Sequence, residues 1–197
     1  MGLAVEKRME WDFIRQLEHY QPETAQEEAD RATMLQAAKQ FQKKLLFREN
    51  STAHITSSGF VVNPALSKVL LVYHNLRKTW SWAGGHADGE ENLLQVAERE
   101  VREETGAKKL IPLSQEIATL DIFPVARHVK NGEQVSPHLH FSVSYCFICD
   151  ENQPLQKNVD ENSAVRWFPL EYFSEEHFSR EDNAVYQKCI RKLRRFK

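Results

Sequence analysis

The chain has 197 residues, 41% of them hydrophobic, and sets 26 Lys and Arg against 28 Asp and Glu for a formal charge of -2. That supplies apolar material for one well-buried core, gives no general attraction to nucleic acid, and includes no apolar run of membrane-spanning length. Met1 to Lys7 has no signal-peptide core and Glu6 breaks a myristoylation pattern, so a cytoplasmic location without membrane contact is expected.

Residues 1–48 are rich in Glu, Gln, Ala, Lys and Leu, lack glycine after Gly2 and are interrupted by Pro22, which predicts two helices. Trp11, Phe13, Ile14 and Leu17 give the first an apolar side. Ala32, Leu35, Ala38, Phe41 and Leu45 give the second a stripe at helical spacing. These helices form an extension that docks either on the domain that follows, residues 49–197, or on the second subunit of a homodimer.

From His54 the period changes to that of strands: Ile55 to Val62, a turn at Asn63-Pro64, then Lys68 to Tyr73. Trp80 and Trp82 alternate with Ser81 and so share one face of a short strand. A helix over roughly 89–105 follows, capped by Asp88 with Glu91 three residues on and stopped by Gly106. Strands near Ile117 to Val129 and Val135 to Cys149 come next, joined by an Asn131-Gly132 hairpin turn. Val165 to Phe168 is a further strand and Asn183 to Phe196 a final helix, whose basic end from Arg191 to Lys197 suits the helix dipole. The pattern describes an α/β protein, a mixed sheet flanked by helices.

Cys146 and Cys149 spell C-x-x-C inside a strand, where residues three apart point to opposite faces. They cannot converge on one ion. With Cys189 they read as buried, reduced thiols.

The chemistry concentrates in the helix over 89–105. At about 100° per residue, Leu93, Leu94, Ala97 and Val101 form one stripe, and Gln95, Glu98 and Arg102 the opposite, solvated side. Glu100, Glu103 and Glu104 form a second arc overlapping the edge of the apolar stripe and point into a groove beside the core. Carboxylates at this spacing repel by about 0.2–0.5 kcal/mol per pair on an exposed helix, and by more when partly desolvated. Arg99 reaches Glu103 at i+4, but one guanidinium does not neutralise three acids. A hard divalent cation with oxygen ligands, Mg²⁺ or Mn²⁺, does.

Gly85, Glu91, Arg99, Glu100, Val101, Glu103, Glu104, Gly106 and Ala107 stand at the spacing of a known signature. At these residues the chain resembles the Nudix hydrolase family, with every fixed position of the box filled. The resemblance implies a Nudix-type α/β/α sandwich with a mixed β-sheet, preceded here by the helical extension. It implies metal-dependent hydrolysis of a phosphoric anhydride in a small molecule, a nucleoside diphosphate joined to another group. Glu100, Glu103 and Glu104 fall at the family's metal positions, Gly84 at the position whose backbone carbonyl also coordinates, and Arg99 at the residue that orients the glutamates. Glu91 lies away from that arc and reads as a cap partner and dipole complement.

Members of the family often recruit an acid from outside the box. Asp160 and Glu161 stand just before the Val165 strand, and Glu161 has the longer reach as a general base, with Glu100 the competitor inside the helix. Trp80 and Trp82 stack a nucleobase or pack into the core. His138 and His140 share a face and His128 stands across the hairpin. Without a converging acid they line the substrate cleft, or decorate the sheet, more readily than they hold a second metal. Arg127 and Lys130 hold a phosphate or simply solvate the hairpin. Two non-hydrolase readings are weaker. An isopentenyl-diphosphate-isomerase-like enzyme needs a cysteine upstream of the box, where this chain has none, and a non-catalytic nucleotide-binding sensor typically has a degraded box.

Overall fold

The computed structural model describes residues 11–130 and 132–196. Met1 to Lys7, Asn131 of the expected hairpin turn and Lys197 lie outside the described residues, as does the side chain of Lys130. In chain order the elements are α1 (Asp12–His19), α2 (Ala25–Phe41), a 3-10 turn (Gln42–Leu46), β1 (Ala53–Val62), β2 (Lys68–His74), β3 (Thr79–Ser81), β4 (Ala83–His86) and α3 (Leu93–Thr105). Then come β5 (Ile111–Pro112), β6 (Thr119–Val125), β7 (His128–Lys130), β8 (Glu133–Val135), β9 (His138–Ile148), β10 (Asn162–Pro169) and α4 (Arg180–Leu193).

β1 is the pivot of the sheet. It pairs in parallel with β9, from Ala53↔Leu139 to Val62↔Ile148, and antiparallel with β2 and β4. β2 in turn holds β10 and β3, while β9 holds β6 and β5 on its far side. The sheet is mixed, as expected.

Alternation along β1 separates two cores. Ile55 and Val61 face α1, α2 and α3, whereas Phe60 and Val62 face α4. Each fully buried Phe, such as Phe60, Phe141 or Phe147, stabilises the fold by about 1.5–3 kcal/mol through apolar burial. Helices on both faces complete the α/β/α arrangement. Cys146 joins one core and Cys149 the other, and all three cysteines are free and buried.

The N-terminal helices dock on this domain: Trp11, Phe13, Leu17, Met34 and Leu45 belong to the α3-side core. The stripe expected on α2 is rotated, with Ala32 exposed and Glu27, Asp30, Met34 and Ala38 buried. The reason is polar. Asp30 Oδ2 accepts the Ile122 N–H at 3.3 Å, covering the edge strand β6. Glu27 accepts from the Tyr20 hydroxyl and the Glu23 N–H, both at 2.6 Å. Lys192 of α4 donates to the Gln21 carbonyl at 3.2 Å, so the extension ties the two faces together around that edge.

Three boundaries differ from expectation. α3 starts at Leu93, because Asp88 and Gly89 have φ of 46° and 95°, left-handed values that no helix admits. Asn92 is the cap, its side chain accepting from Gln95 N–H at 3.1 Å, while Asp88 pairs with Arg48 and Glu91 with Lys43. Glu91 is therefore not a cap partner. The long strands flanking the hairpin break into β6 and β7, and β8 and β9, with β7 and β8 forming a separate ribbon. α4 begins at Arg180, capped by Ser179, whose Oγ accepts from Asp182 N–H at 3.0 Å.

Candidate active site

α3 settles onto β1 and β4 because the facing positions have no side chain. A Cβ on Gly59 would stand 2.3 Å from Val101 Cγ2, and one on Gly85 would stand 2.4 Å from the Glu100 carboxyl carbon. Val101 leaves no room for a side chain on Gly59, so glycine there lets the helix approach, and the bare Gly85 leaves the Glu100 carboxyl group its place against β4. Gly106, at φ 69°, ends the helix as a left-handed cap.

The three acids of α3 differ in environment. Glu104 is buried; its Oε1 accepts from the Gly84 N–H and its Oε2 from Asn162 Nδ2, each at 2.8 Å. Asn162 is itself fully buried, and its Oδ1 has no hydrogen-bond partner among the described residues. Glu100 is half-buried and pairs with Arg99 Nη1 at 2.6 Å. Glu103 is exposed, 3.4 Å from the same nitrogen. Arg99 thus bridges the two acids.

Burial dominates the electrostatics. It pushes Glu104 up to about 7, against the two hydrogen bonds that favour its charged form, with Glu161 and Glu100 adding to the push. Burial also raises Glu100, and Arg99 opposes it. Glu161 directly precedes Asn162 and is close enough that its charge acts on both Glu100 and Glu104. Its carboxylate accepts from Asn158 Nδ2 at 3.4 Å, and it is exposed, as is Asp160.

The remaining expected residues make contacts of other kinds. Trp80 packs edge-on against Tyr73 and Phe168, and Trp82 against Phe60 and Tyr186, so both are half-buried members of the aromatic layer under α4. Arg127 is exposed in the link between β6 and β7. His138 and His140 lie beside His54 of β1, with His86 in ring contact. Burial lowers His54, takes His140 down to about 4 and takes His86 down to about 3. Asn162 and His54 escaped the sequence reading because strand pairing, not local spacing, brings each to its partners.

The Nudix domain family model matches residues 53–189, and the chain belongs to the Nudix family. It is a Nudix hydrolase, an enzyme acting on phosphoric anhydrides. The structure of a Nudix-family hydrolase from Clostridium perfringens is similar, with 21% identity over 73% of this chain and 98% of that one, at a TM-score of 0.49. A C. elegans Ap4A hydrolase binary complex shares 19% identity over 72% of this chain and 96% of that one, at 0.48. The E. coli dihydroneopterin triphosphate pyrophosphohydrolase shares 16% over 71% and 93%, at 0.51. This last likeness is one of fold. No curated protein sequence matches the chain. No helix among the described residues is long and apolar enough to cross a membrane.

Proposed function

We propose that this chain hydrolyses the phosphoric anhydride of a nucleoside diphosphate joined to another group, with Mg²⁺ or Mn²⁺ at Glu100, Glu103, Glu104 and the Gly84 carbonyl. The observation that carries the reading is the burial of Glu104 among further acids, with no matching cation of its own among the described residues. Its side-chain partners are neutral donors, and Arg99 is spent on Glu100 and Glu103. A donor set made only of oxygens, with excess negative charge, fits a hard divalent cation. When bound there, the cation would offset charge on the diphosphate oxygens and make a coordinated water more acidic.

The chain's own residues do the rest. Gly84 N–H and Asn162 fix both oxygens of Glu104, and Arg99 orients Glu100, so the carboxylates are positioned before substrate arrives. Glu161 takes the proton of the attacking water, whose oxygen bonds to phosphorus as the bridging P–O bond breaks. The isomerase-like alternative loses further ground because burial pushes the Cys146 thiol up to about 12 and Cys189 well above its ordinary value.

The test is a hydrolysis panel of nucleoside diphosphate derivatives with Mg²⁺ and Mn²⁺, read by product masses in ¹⁸O-water. One class should yield two phosphorylated or nucleotide products, with a single ¹⁸O on phosphorus. A panel with no turnover above that of E104Q overturns the proposal.

A further inference from the structure

Five of the chain's eight histidines are in ring contact in one patch, His54, His86, His138 and His140 on the sheet and His128 on the separate β7–β8 ribbon. The parallel pairing of β1 with β9 makes it so. His54 is the direct partner of His140, and His138 lies two residues back on the same face. That is the face opposite α3, since the intervening β1 residues Ser57 and Gly59 meet Leu93 and Val101 of that helix. Ring centroids lie 4.8 Å apart for His54 and His138, 4.8 Å for His54 and His140, and 5.3 Å for His138 and His140.

We propose that His54, His138 and His140 form a second metal centre, for a borderline divalent ion of the Zn²⁺ class, separate from the glutamate site. One ring nitrogen from each lies within 4.8 Å of the others. Zn–N bonds of about 2.0–2.1 Å in tetrahedral geometry place ligand nitrogens roughly 3.3 Å apart, so the rings close by about 1.5 Å around an ion.

The outer partners already fix the tautomer of two of the three rings. His138 Nδ1 lies 2.9 Å from the Ser136 carbonyl and His54 Nδ1 3.4 Å from the Asn50 carbonyl. Donation from Nδ1–H to a carbonyl leaves the Nε2 lone pair free as a ligand, the usual arrangement behind a metal-bound histidine. The nearby Arg48 does not oppose a bound cation with its full charge, because its guanidinium is paired to both Asp88 oxygens, at 2.7 and 2.5 Å.

Imidazole donors favour Zn²⁺ and related ions over Mg²⁺, so the two sites divide hard from borderline metals. Three protein ligands leave a fourth position for water or an oxyanion such as phosphate. Strand spacing alone places only His128, His138 and His140 near one another, with no acid to join them. The missing ligand is a histidine from a strand more than eighty residues upstream.

The test is titration of chelator-treated, dialysed protein with Co²⁺ and then Zn²⁺, following the ligand-field absorption of cobalt and the stoichiometry. One equivalent should give a tetrahedral Co²⁺ spectrum that Zn²⁺ displaces. H138A and H140A should each weaken binding about a hundred-fold or more with unchanged far-UV circular dichroism, and E104Q should bind as the parent does. X-ray absorption of the Zn²⁺ form should show imidazole scattering. Unchanged affinity in the H138A/H140A double variant, or loss of the cobalt spectrum in E104Q alone, overturns the proposal. Because activity is not the readout, its failure is distinct from failure of the hydrolase reading.

Discussion

Asn162 Nδ2 donates to Glu104 Oε2 at 2.8 Å, so the first residue of the last strand holds the most buried acid of α3. The Gly84 N–H holds the other oxygen. A hydrogen bond to a charged group contributes about 1.5–3 kcal/mol, so Asn162→Leu should lower turnover roughly ten- to a hundred-fold. The acid limb of the pH profile should also move to higher pH, because Glu104 loses a donor that favours its ionised form. A variant with the parent rate and the parent limb would show that Asn162 does not position the acid.

A second prediction concerns stability without metal. Glu104 has an ordinary value of 4.5, raised to about 7 by burial. Folding therefore favours the protonated acid. This stabilisation is complete below about 4.5 and is lost as pH rises through about 7. The difference corresponds to about 3 kcal/mol, or roughly 6–12 °C for a chain of this size. E104Q, whose amide can pair with the orphaned Asn162 Oδ1 once that side chain flips, escapes the loss. Its Tm should match the parent near pH 4.5 and exceed it by that margin above pH 7 in chelator, with the gap closing when Mg²⁺ is added. Parallel Tm curves across this range would contradict the assignment.

Local spacing made the box helix legible, because Glu100, Glu103 and Glu104 share an arc whatever the rest of the chain does. The opposite faces of Cys146 and Cys149 followed from strand alternation in the same way. The Asp88 cap failed for the complementary reason. Its carboxylate is held by Arg48, forty residues upstream, and its left-handed backbone belongs to a loop that no helix periodicity describes. The rotated stripe of α2 is a related case, since Glu27 and Asp30 are buried only because Tyr20 and the β6 edge meet them. Asn162 and His54 carry no local signal at all.

Metal dependence is the third prediction. Excess chelator should reduce turnover to background, and Mg²⁺ or Mn²⁺ should restore it, since the three acids outnumber the one guanidinium among them. Full activity in chelator would end the metal-assisted reading.

The close approach at Gly85 supplies a fourth. Its added Cβ would meet the Glu100 carboxyl group at 2.4 Å, so Gly85→Ala must displace that carboxylate from β4. Because the displaced atoms are the end of a flexible side chain, thermal melts should change little, while turnover should fall by about ten-fold or more as an acid of the cluster loses its position. Retention of the parent kcat would mean that Glu100 need not sit against β4.

The last prediction addresses the proton acceptor. Glu100 is engaged by Arg99 and Glu104 by Gly84 and Asn162, whereas Glu161 is exposed, one residue from Asn162, with its charge acting on both acids. Among the described residues its side chain is held only by Asn158 Nδ2, at 3.4 Å. Glu161→Gln keeps its size and its backbone bonds to Asn158 and Asn75. Loss of a general base typically lowers the rate by about 10²–10⁴-fold. The kcat should therefore fall by about a hundred-fold or more with little change in KM. An unchanged rate would return the role to Glu100. A rise in KM at constant kcat would instead make Glu161 a substrate contact.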